Sequence, residues 1–199
     1  MADFFHDLHS GGSSLAIIPS AIIEPVADKE RHARNRAAAL AFGAPMTVAI
    51  DNRGDPRTAT ASAARAGLTV MGTEMAGGGA VSPDAVGLCR RGVRNVLAHL
   101  GALPPEMADP PKAASPVYDL PANAHMLATD EGVFEPYHAN GTAVCAGQPA
   151  GRIHFLADPS RPPVELAYKI DGILYGRRQP GKVRPGNCCL VVARPLDGA

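Results

Sequence analysis

Apolar runs and helical stretches follow one another over the first hundred residues, and this succession constrains the fold more than any other feature. The apolar runs are 4–9, 15–23, 46–50 and 68–71, and the helical stretches are 28–42, 55–66 and 82–100. Strands that alternate with helices are typical of parallel sheets, because each crossover places a helix on a face of the sheet. The sequence therefore predicts an α/β fold with a mostly parallel sheet.

The longest predicted helices carry the residues that begin and end helices. Asp28 suits an N-cap, and Gly43 suits the left-handed residue that ends a helix. A second start follows at Ser82-Pro83-Asp84. There the serine caps the helix, the proline needs no N–H in the first turn, and the acid favours the positive end of the helix dipole. These signals predict the bounds of both helices.

The character of the sequence changes after residue 103. Residues 104–121 contain six prolines and show no period, which predicts a linker. From 122 to 199, short strand-like runs alternate with Gly and Pro turns. We therefore expect an α/β unit at 1–103, a linker at 104–121 and a small all-β domain at 122–199.

The β half contains an internal repeat. Gly132-Val133-Phe134 is matched 40 residues later by Gly172-Ile173-Leu174, and further glycines and valines continue the match. Two such units predict a two-fold β-sandwich of the hammerhead type, which resembles the barrel-sandwich fold of biotinyl and lipoyl carrier domains. Carriers present a lysine at the hairpin between their halves, but the corresponding stretch 156–163 has none. A carrier function is therefore disfavoured.

Charge and hydropathy exclude several classes of function. The 199 residues carry 19 Lys and Arg against 19 Asp and Glu, and this balance removes the simplest electrostatic basis for nucleic-acid binding. No apolar run approaches the roughly 18–20 residues that span a bilayer, and the N-terminus lacks the features of a secretory signal. The four cysteines form no Cys-x-x-Cys pair. We expect a reduced, cytoplasmic protein that binds neither nucleic acid nor membrane.

Two side chains capable of catalysis stand where predicted strands end. His9 closes the first strand, and Asp7 shares its face of the strand and could orient the imidazole. Glu74 follows the strand at 68–71, where a carboxylate suits a general base. Because the ends of parallel strands meet at one crevice, we expect His9 and Glu74 to lie close together. The alternatives are a hydrogen-bonded structural histidine and an ordinary loop acid.

Small residues follow both of these strands, and one tyrosine in the β half is a weaker candidate. Small side chains let a substrate or a metal ion approach the backbone. The residues predicted to lie near the substrate on this ground are Ser10, Gly11, Gly12, Gly77 and Gly78. The glycines match neither common phosphate-binding pattern, so a phosphate site is weakly indicated. Tyr175 could donate its hydroxyl, with ordinary sheet packing as the alternative.

Four segments in order carry a family likeness. They are Asp7–Gly12, Leu40–Pro45, Gly72–Gly79 and Arg91–Leu97. As a set they resemble the succinylglutamate desuccinylase/aspartoacylase family, and most of all its N-acetyl-diaminobutyrate deacetylase-like branch. The resemblance implies a zinc carboxypeptidase-like fold and hydrolysis of the amide, or an ester, bond of a small N-acyl amino acid. It also implies that His9 is the last of three Zn²⁺ ligands and that Glu74 takes a proton from the water activated by zinc.

The chain departs from the family at its start. In the family a His and a Glu in one short motif supply the first two zinc ligands upstream of the Asp-Leu-His strand, and arginines that hold the substrate carboxylate also lie upstream. No His-x-x-Glu motif occurs here. We therefore expect a truncated, C-terminal part of a family member that needs a complementing N-terminal fragment. The alternative is a non-catalytic remnant or binding module that keeps the fold without zinc. An exposed edge at strand 4–9 predicts self-association, including a homo-oligomer.

Overall fold

Three α-helices and fourteen strands make up the computed structural model, which describes residues 2–51, 57–111 and 113–196. The helices are α1 (Lys29–Phe42), α2 (Ala59–Arg65) and α3 (Pro83–His99), with a short 3-10 helix at Pro105–Met107. The first strands are β1 (Phe4–His9), β2 (Leu15–Ile17), β3 (Ser20–Ile23), β4 (Met46–Ala49), β5 (Thr69–Glu74) and β6 (Val117–Asp119). The later strands are β7 (His125–Leu127), β8 (Gly132–Pro136), β9 (Ala143–Val144), β10 (Pro149–His154), β11 (Val164–Ala167), β12 (Gly172–Arg178), β13 (Lys182–Val183) and β14 (Cys188–Pro195).

The predicted helix signals are confirmed at α1 and α3. Asp28 caps α1 by accepting a hydrogen bond from the Arg31 N–H (3.0 Å), and Gly43 ends the helix with a left-handed backbone at φ 75°. Ser82 caps α3 by accepting a hydrogen bond from the Ala85 N–H (3.3 Å). Each cap satisfies a backbone N–H that has no partner within the helix.

α2 begins later than predicted. The hydroxyl oxygen of Thr58 accepts a hydrogen bond from the Ala61 N–H (3.1 Å), which fixes the start of the helix at Ala59. The predicted start at Asp55 lies outside the described residues.

The central sheet is mostly parallel, as predicted. Its strands lie in the order β1-β5-β3-β4-β6, followed by β14 of the β half. β1 pairs in parallel with β5, and β4 pairs in parallel with both β3 and β6. β3 and β5 are antiparallel. β1 therefore forms one edge of the sheet in the described chain.

The apolar run at 15–23 forms two strands in different parts of the sheet system. β3 enters the central sheet, whereas β2 pairs antiparallel with β12 of the β half. Pro19 lies between them and has no N–H to donate to a strand ladder. One apolar stretch therefore ties the two halves of the chain together.

α1 and α3 share a hydrophobic core with one face of the sheet. Phe42 of α1 is fully buried in this core, together with Met71 of β5 and Val96 of α3. The helices approach closely at Gly92, where a Cβ would lie 2.5 Å from the Phe42 ring. Glycine lowers the intrinsic stability of a helix, but at Gly92 it allows α3 to pack closely against Phe42.

The two sequence repeats interlock in the β half. The first unit supplies β7–β10 and the second β11–β14. One sheet combines β12 and β14 with β7 and β9, and the other combines β8 and β10 with β11 and β13. The equivalent glycines Gly132 and Gly172 pack alike, because an added Cβ would lie 2.2 Å and 2.3 Å from the carbonyl oxygens of His154 and Ala193 respectively.

Part of the segment predicted as a linker is a strand. β6 pairs in parallel with β4 and antiparallel with β14, and Arg194 of β14 forms an ion pair with Asp119 (2.6 Å). The many prolines of 104–121 predicted a linker, but the three residues of β6 form backbone hydrogen bonds with strands that are distant in sequence. Within the described ranges, no helix combines the length and apolar character that a membrane crossing requires.

Candidate functional site

The ends of β1 and β5 bring His9 and Glu74 together. The two strands pair in parallel with His9 opposite Glu74 and Asp7 opposite Gly72. The ladder continues beyond them, because the Met75 N–H donates to the His9 carbonyl (2.8 Å). The expected proximity of the strand ends is therefore confirmed, and backbone pairing fixes the positions of both residues relative to each other.

Asp7 orients the imidazole of His9. Its Oδ1 lies 2.8 Å from His9 Nδ1, and the side chains of His9 and Asp7 are 64% and 23% exposed. An ionised carboxylate accepts the proton of Nδ1, which leaves the lone pair on Nε2. His9 can thus present Nε2 to an electrophile or a metal ion, and carboxylates orient metal-binding histidines in this way.

Glu74 is a half-buried acid with an unsatisfied oxygen. Burial raises the pKa of its carboxyl group, the nearby His9 opposes that shift and Asp7 adds to it. Its Oε2 is buried and has no hydrogen-bond partner among the described residues. A carboxylate with a raised pKa and a vacant lone pair is suited to accept and return a proton.

A cavity of about 310 Å³ opens beside these residues. Asp7, His9 and Glu74 line it, together with Glu24 and Thr58. Glu24 was missed by the sequence analysis, although its Oε2 is also buried without a described partner. Its only sequence signal is its place directly after a strand, which many structural acids share.

The two glycine loops pack against each other. Gly79 N–H donates to the Gly12 carbonyl (2.8 Å), and the Gly11 N–H donates to the Ala76 carbonyl (3.3 Å). A Cβ on Gly77, whose φ is 113°, would lie 2.4 Å from the Leu15 carbonyl oxygen. These contacts give the glycines a backbone role, while the expected proximity of Gly11, Gly12, Gly77 and Gly78 to a substrate stays a prediction.

Ser10 and Tyr175 have different surroundings. Ser10 is exposed, and its hydroxyl accepts a long hydrogen bond from the Gly12 N–H (3.4 Å). Tyr175 is buried, with its hydroxyl 2.6 Å from Ser20 Oγ. Burial raises the pKa of the Tyr175 phenol, and the hydrogen bond with Ser20 opposes that shift. Packing and an internal hydrogen bond therefore account for Tyr175.

His9 is the imidazole that lines the first cavity beside Glu74. Elsewhere on β1, His6 lies against the Phe42 ring with centroids 5.6 Å apart, and burial lowers its pKa. Across the described ranges, no group of three or more His, Cys, Asp and Glu side chains is arranged to hold a metal ion. His9 thus fits a zinc ligand, but the three protein ligands of a catalytic zinc are not assembled by these residues alone.

Comparison with protein families and curated proteins identifies relatives. A sequence model of the succinylglutamate desuccinylase/aspartoacylase catalytic domain matches residues 1–100. The chain is 32% identical over 199 residues to the N-alpha-acetyl-L-2,4-diaminobutyric acid deacetylase of Halomonas elongata. That alignment covers 99% of this chain and 58% of the relative.

Solved structures share the same fold. A succinylglutamate desuccinylase/aspartoacylase from Rhodobacter sphaeroides has 35% sequence identity and a TM-score of 0.88, over 99% of this chain and 60% of that one. The product-bound ectoine utilization protein EutE (DoeB) of Ruegeria pomeroyi has 30% identity and a TM-score of 0.90, over 98% and 59%. The chain therefore spans about 60% of the length of these relatives.

Proposed function

The chain belongs to the succinylglutamate desuccinylase/aspartoacylase family, and from this premise we propose that it supplies His9 and Glu74 to a zinc-dependent deacylase. The substrate class is a small N-acyl amino acid, cleaved at its amide bond. The pairing of His9 with Glu74 at the ends of parallel strands carries the proposal. The name of the Halomonas elongata relative, a deacetylase of an acetylated amino acid, supports the substrate class.

The chain's own residues have separate tasks in this proposal. Asp7 holds the proton on Nδ1 of His9, so that Nε2 is available to hold zinc. When bound, zinc supplies a Lewis acid that lowers the pKa of water to about 7. Glu74 accepts a proton at Oε2 and returns it to the departing amine, and its raised pKa suits both transfers.

The remaining zinc ligands are proposed to come from further polypeptide. A catalytic zinc site normally uses three protein ligands, and no group of three such side chains is found among the described residues. The relatives are longer than this chain, and β1 has an open edge in the described chain, where Leu8 is 56% exposed. A complementing N-terminal segment, in the same polypeptide or in a partner, would fit that edge. The alternative partner at this edge is a second copy of the same chain.

A binding module without zinc is the second candidate function. The observation that favours it is the lack of a three-ligand group within the described ranges. For either function we propose the cytoplasm as the compartment, because all four cysteines are free, as in reducing compartments.

Metal analysis tests the proposal. The chain is purified together with the N-terminal segment of one of the longer relatives, loaded with Zn²⁺, freed of excess metal and measured by mass spectrometry, beside His9→Ala and the control His99→Ala. We expect zinc binding that is lost in His9→Ala and kept in His99→Ala, whose side chain lies exposed at the end of α3. If no zinc is bound, or if His9→Ala binds as much zinc as wild type, the zinc-free binding module is the function that remains. Glu74→Gln should keep zinc and lose hydrolysis of an N-acetyl amino acid.

A further inference from the structure

A second cavity adjoins Glu74 and differs in chemistry from the first. Its volume is about 380 Å³, and Glu74 and Ile50 line both cavities. His9 and Asp7 line only the first. Glu74 therefore stands between the cavity that holds the imidazole and this second space.

The walls of the second cavity come from both halves of the chain. Ile17 of β2, Leu120 after β6 and Val191 of β14 provide aliphatic surface, and the ring of Tyr175 adds to it. The hydrogen bond between Tyr175 and Ser20 fixes that ring from the side of the central sheet. The cavity thus exists because β2 and β14 join the sandwich to the central sheet.

The charges around this cavity disfavour an anion. No lysine or arginine is among the described residues that line it. Its imidazole belongs to His125, and burial lowers the pKa of this ring, which disfavours its cationic form. Two acidic residues, Glu74 and Asp51, line the cavity, and their ionised side chains would repel a further carboxylate. An apolar group would instead gain about 25 cal/mol for each Å² of its surface removed from water.

We propose that this second cavity is a subsite that holds an apolar group of the substrate next to the scissile amide. The inference rests on the proposed deacylase function only for the position of the amide beside Glu74. The apolar group can be the acyl chain or the side chain of the amino acid, since both flank the amide. The described lining offers no cation to an aspartate or glutamate side chain.

Ligand-observed NMR tests the subsite without requiring turnover. The probes are N-hexanoylglycine, with an apolar acyl chain, N-acetyl-L-leucine, with an apolar side chain, and N-acetyl-L-aspartate, with an acidic one. Saturation of the protein should transfer to the alkyl protons of at least one of the first two probes at millimolar concentration. The probe that receives it identifies which side of the amide enters the cavity.

Two variants localise the binding. Leu120→Trp fills the cavity and should weaken binding of the alkyl probe at least fivefold. Leu156→Trp is the matched control, because Leu156 lies in the β10–β11 loop, is 73% exposed and lines neither cavity. Ala122→Arg adds a cation at the rim and should let N-acetyl-L-aspartate bind, whereas Asn123→Arg, one residue along and outside the lining, should not.

The outcomes separate the subsite from the proposed function. Absence of transfer to both alkyl probes, or equal binding by wild type and Leu120→Trp, overturns the subsite even if zinc-dependent hydrolysis is found. Alkyl binding that is lost in Leu120→Trp supports the subsite even if the chain binds no zinc. Equal affinity of the wild type for N-acetyl-L-aspartate and N-acetyl-L-leucine would also overturn it.

Discussion

His9 and Glu74 are register partners on β1 and β5, two parallel strands that end at the same edge of the sheet. Their separation is therefore set by backbone hydrogen bonds and not by the conformation of a loop. Functional groups placed on regular elements hold their geometry more closely than groups on loops. The relationship also couples the two side chains electrostatically, since His9 lowers the pKa of Glu74 against the effect of burial.

Neutralising Asp7 should weaken zinc binding through His9. In Asp7→Asn the charge that holds the Nδ1 proton is lost, so the zinc dissociation constant should rise roughly 10-fold or more. Competition with a chromophoric chelator measures the change in the chain complemented with the N-terminal segment of a relative. Asp3→Asn removes an exposed carboxylate near the same strand and should leave the constant unaltered. A value for Asp7→Asn that matches wild type would show that the hydrogen bond does not orient a ligand.

Replacing Glu74 by glutamine should stabilise the fold at neutral pH. The folded pKa of Glu74 lies above its ordinary value of 4.5, so ionisation favours the unfolded chain. The extra stability of Glu74→Gln over wild type is absent below pH 4.5. It grows as the pH rises from 4.5 to the raised folded pKa of Glu74, and it is constant above that pKa. Partial exposure limits the gain to about 1 kcal/mol in the free energy of unfolding.

Urea unfolding at pH 4 and pH 7.5 measures this effect. Glu106→Gln, at an exposed site in the 3-10 helix, is the control and should change stability little at either pH. A Glu74→Gln variant that is less stable than wild type at pH 7.5 would mean that the carboxylate makes a stabilising contact in the fold.

Alanine at Gly77 should be far more damaging than alanine at Gly12. Both glycines have positive φ, 113° and 60°, but a Cβ on Gly77 would meet the Leu15 carbonyl oxygen whereas Gly12 faces open space. Gly12→Ala should cost about 1 kcal/mol of stability from backbone strain alone. Gly77→Ala adds the clash and should cost roughly 2–4 kcal/mol. Equal urea midpoints for Gly12→Ala and Gly77→Ala would show that the two glycine loops do not pack as closely as described.

The hydrogen bond between Tyr175 and Ser20 should contribute to stability and not to chemistry. Tyr175→Phe and Ser20→Ala each leave a buried hydroxyl without its partner and should cost about 1–2 kcal/mol. The double variant should lose less than the sum of the two, and urea unfolding of all four proteins measures the coupling. Additive losses would show that the two hydroxyls do not interact. A change in zinc affinity would assign Tyr175 a role at the site.

Local signals in the sequence were sufficient for the elements and for the pair of candidate groups. Asp28, Gly43 and Ser82 act on backbone groups within a few residues, so their effect does not depend on distant parts of the chain. The period of the repeat similarly predicted two equivalent units of the β half. The place of His9 and Glu74 followed from the general rule that parallel strands end together.

Contacts between distant segments decided the rest. The Tyr175 hydroxyl forms its hydrogen bond with Ser20, which is 155 residues away in the sequence. β6 pairs with one strand from each half of the chain, and a side chain at Gly77 would clash with the carbonyl oxygen of Leu15. The cavity proposed as an apolar subsite likewise exists only where β2 and β14 meet the central sheet. Sequence alone determined which residues could begin a helix, end a strand or accept a proton. Tertiary structure decided which of them are buried together, because burial and hydrogen-bond satisfaction depend on neighbours that are remote in sequence.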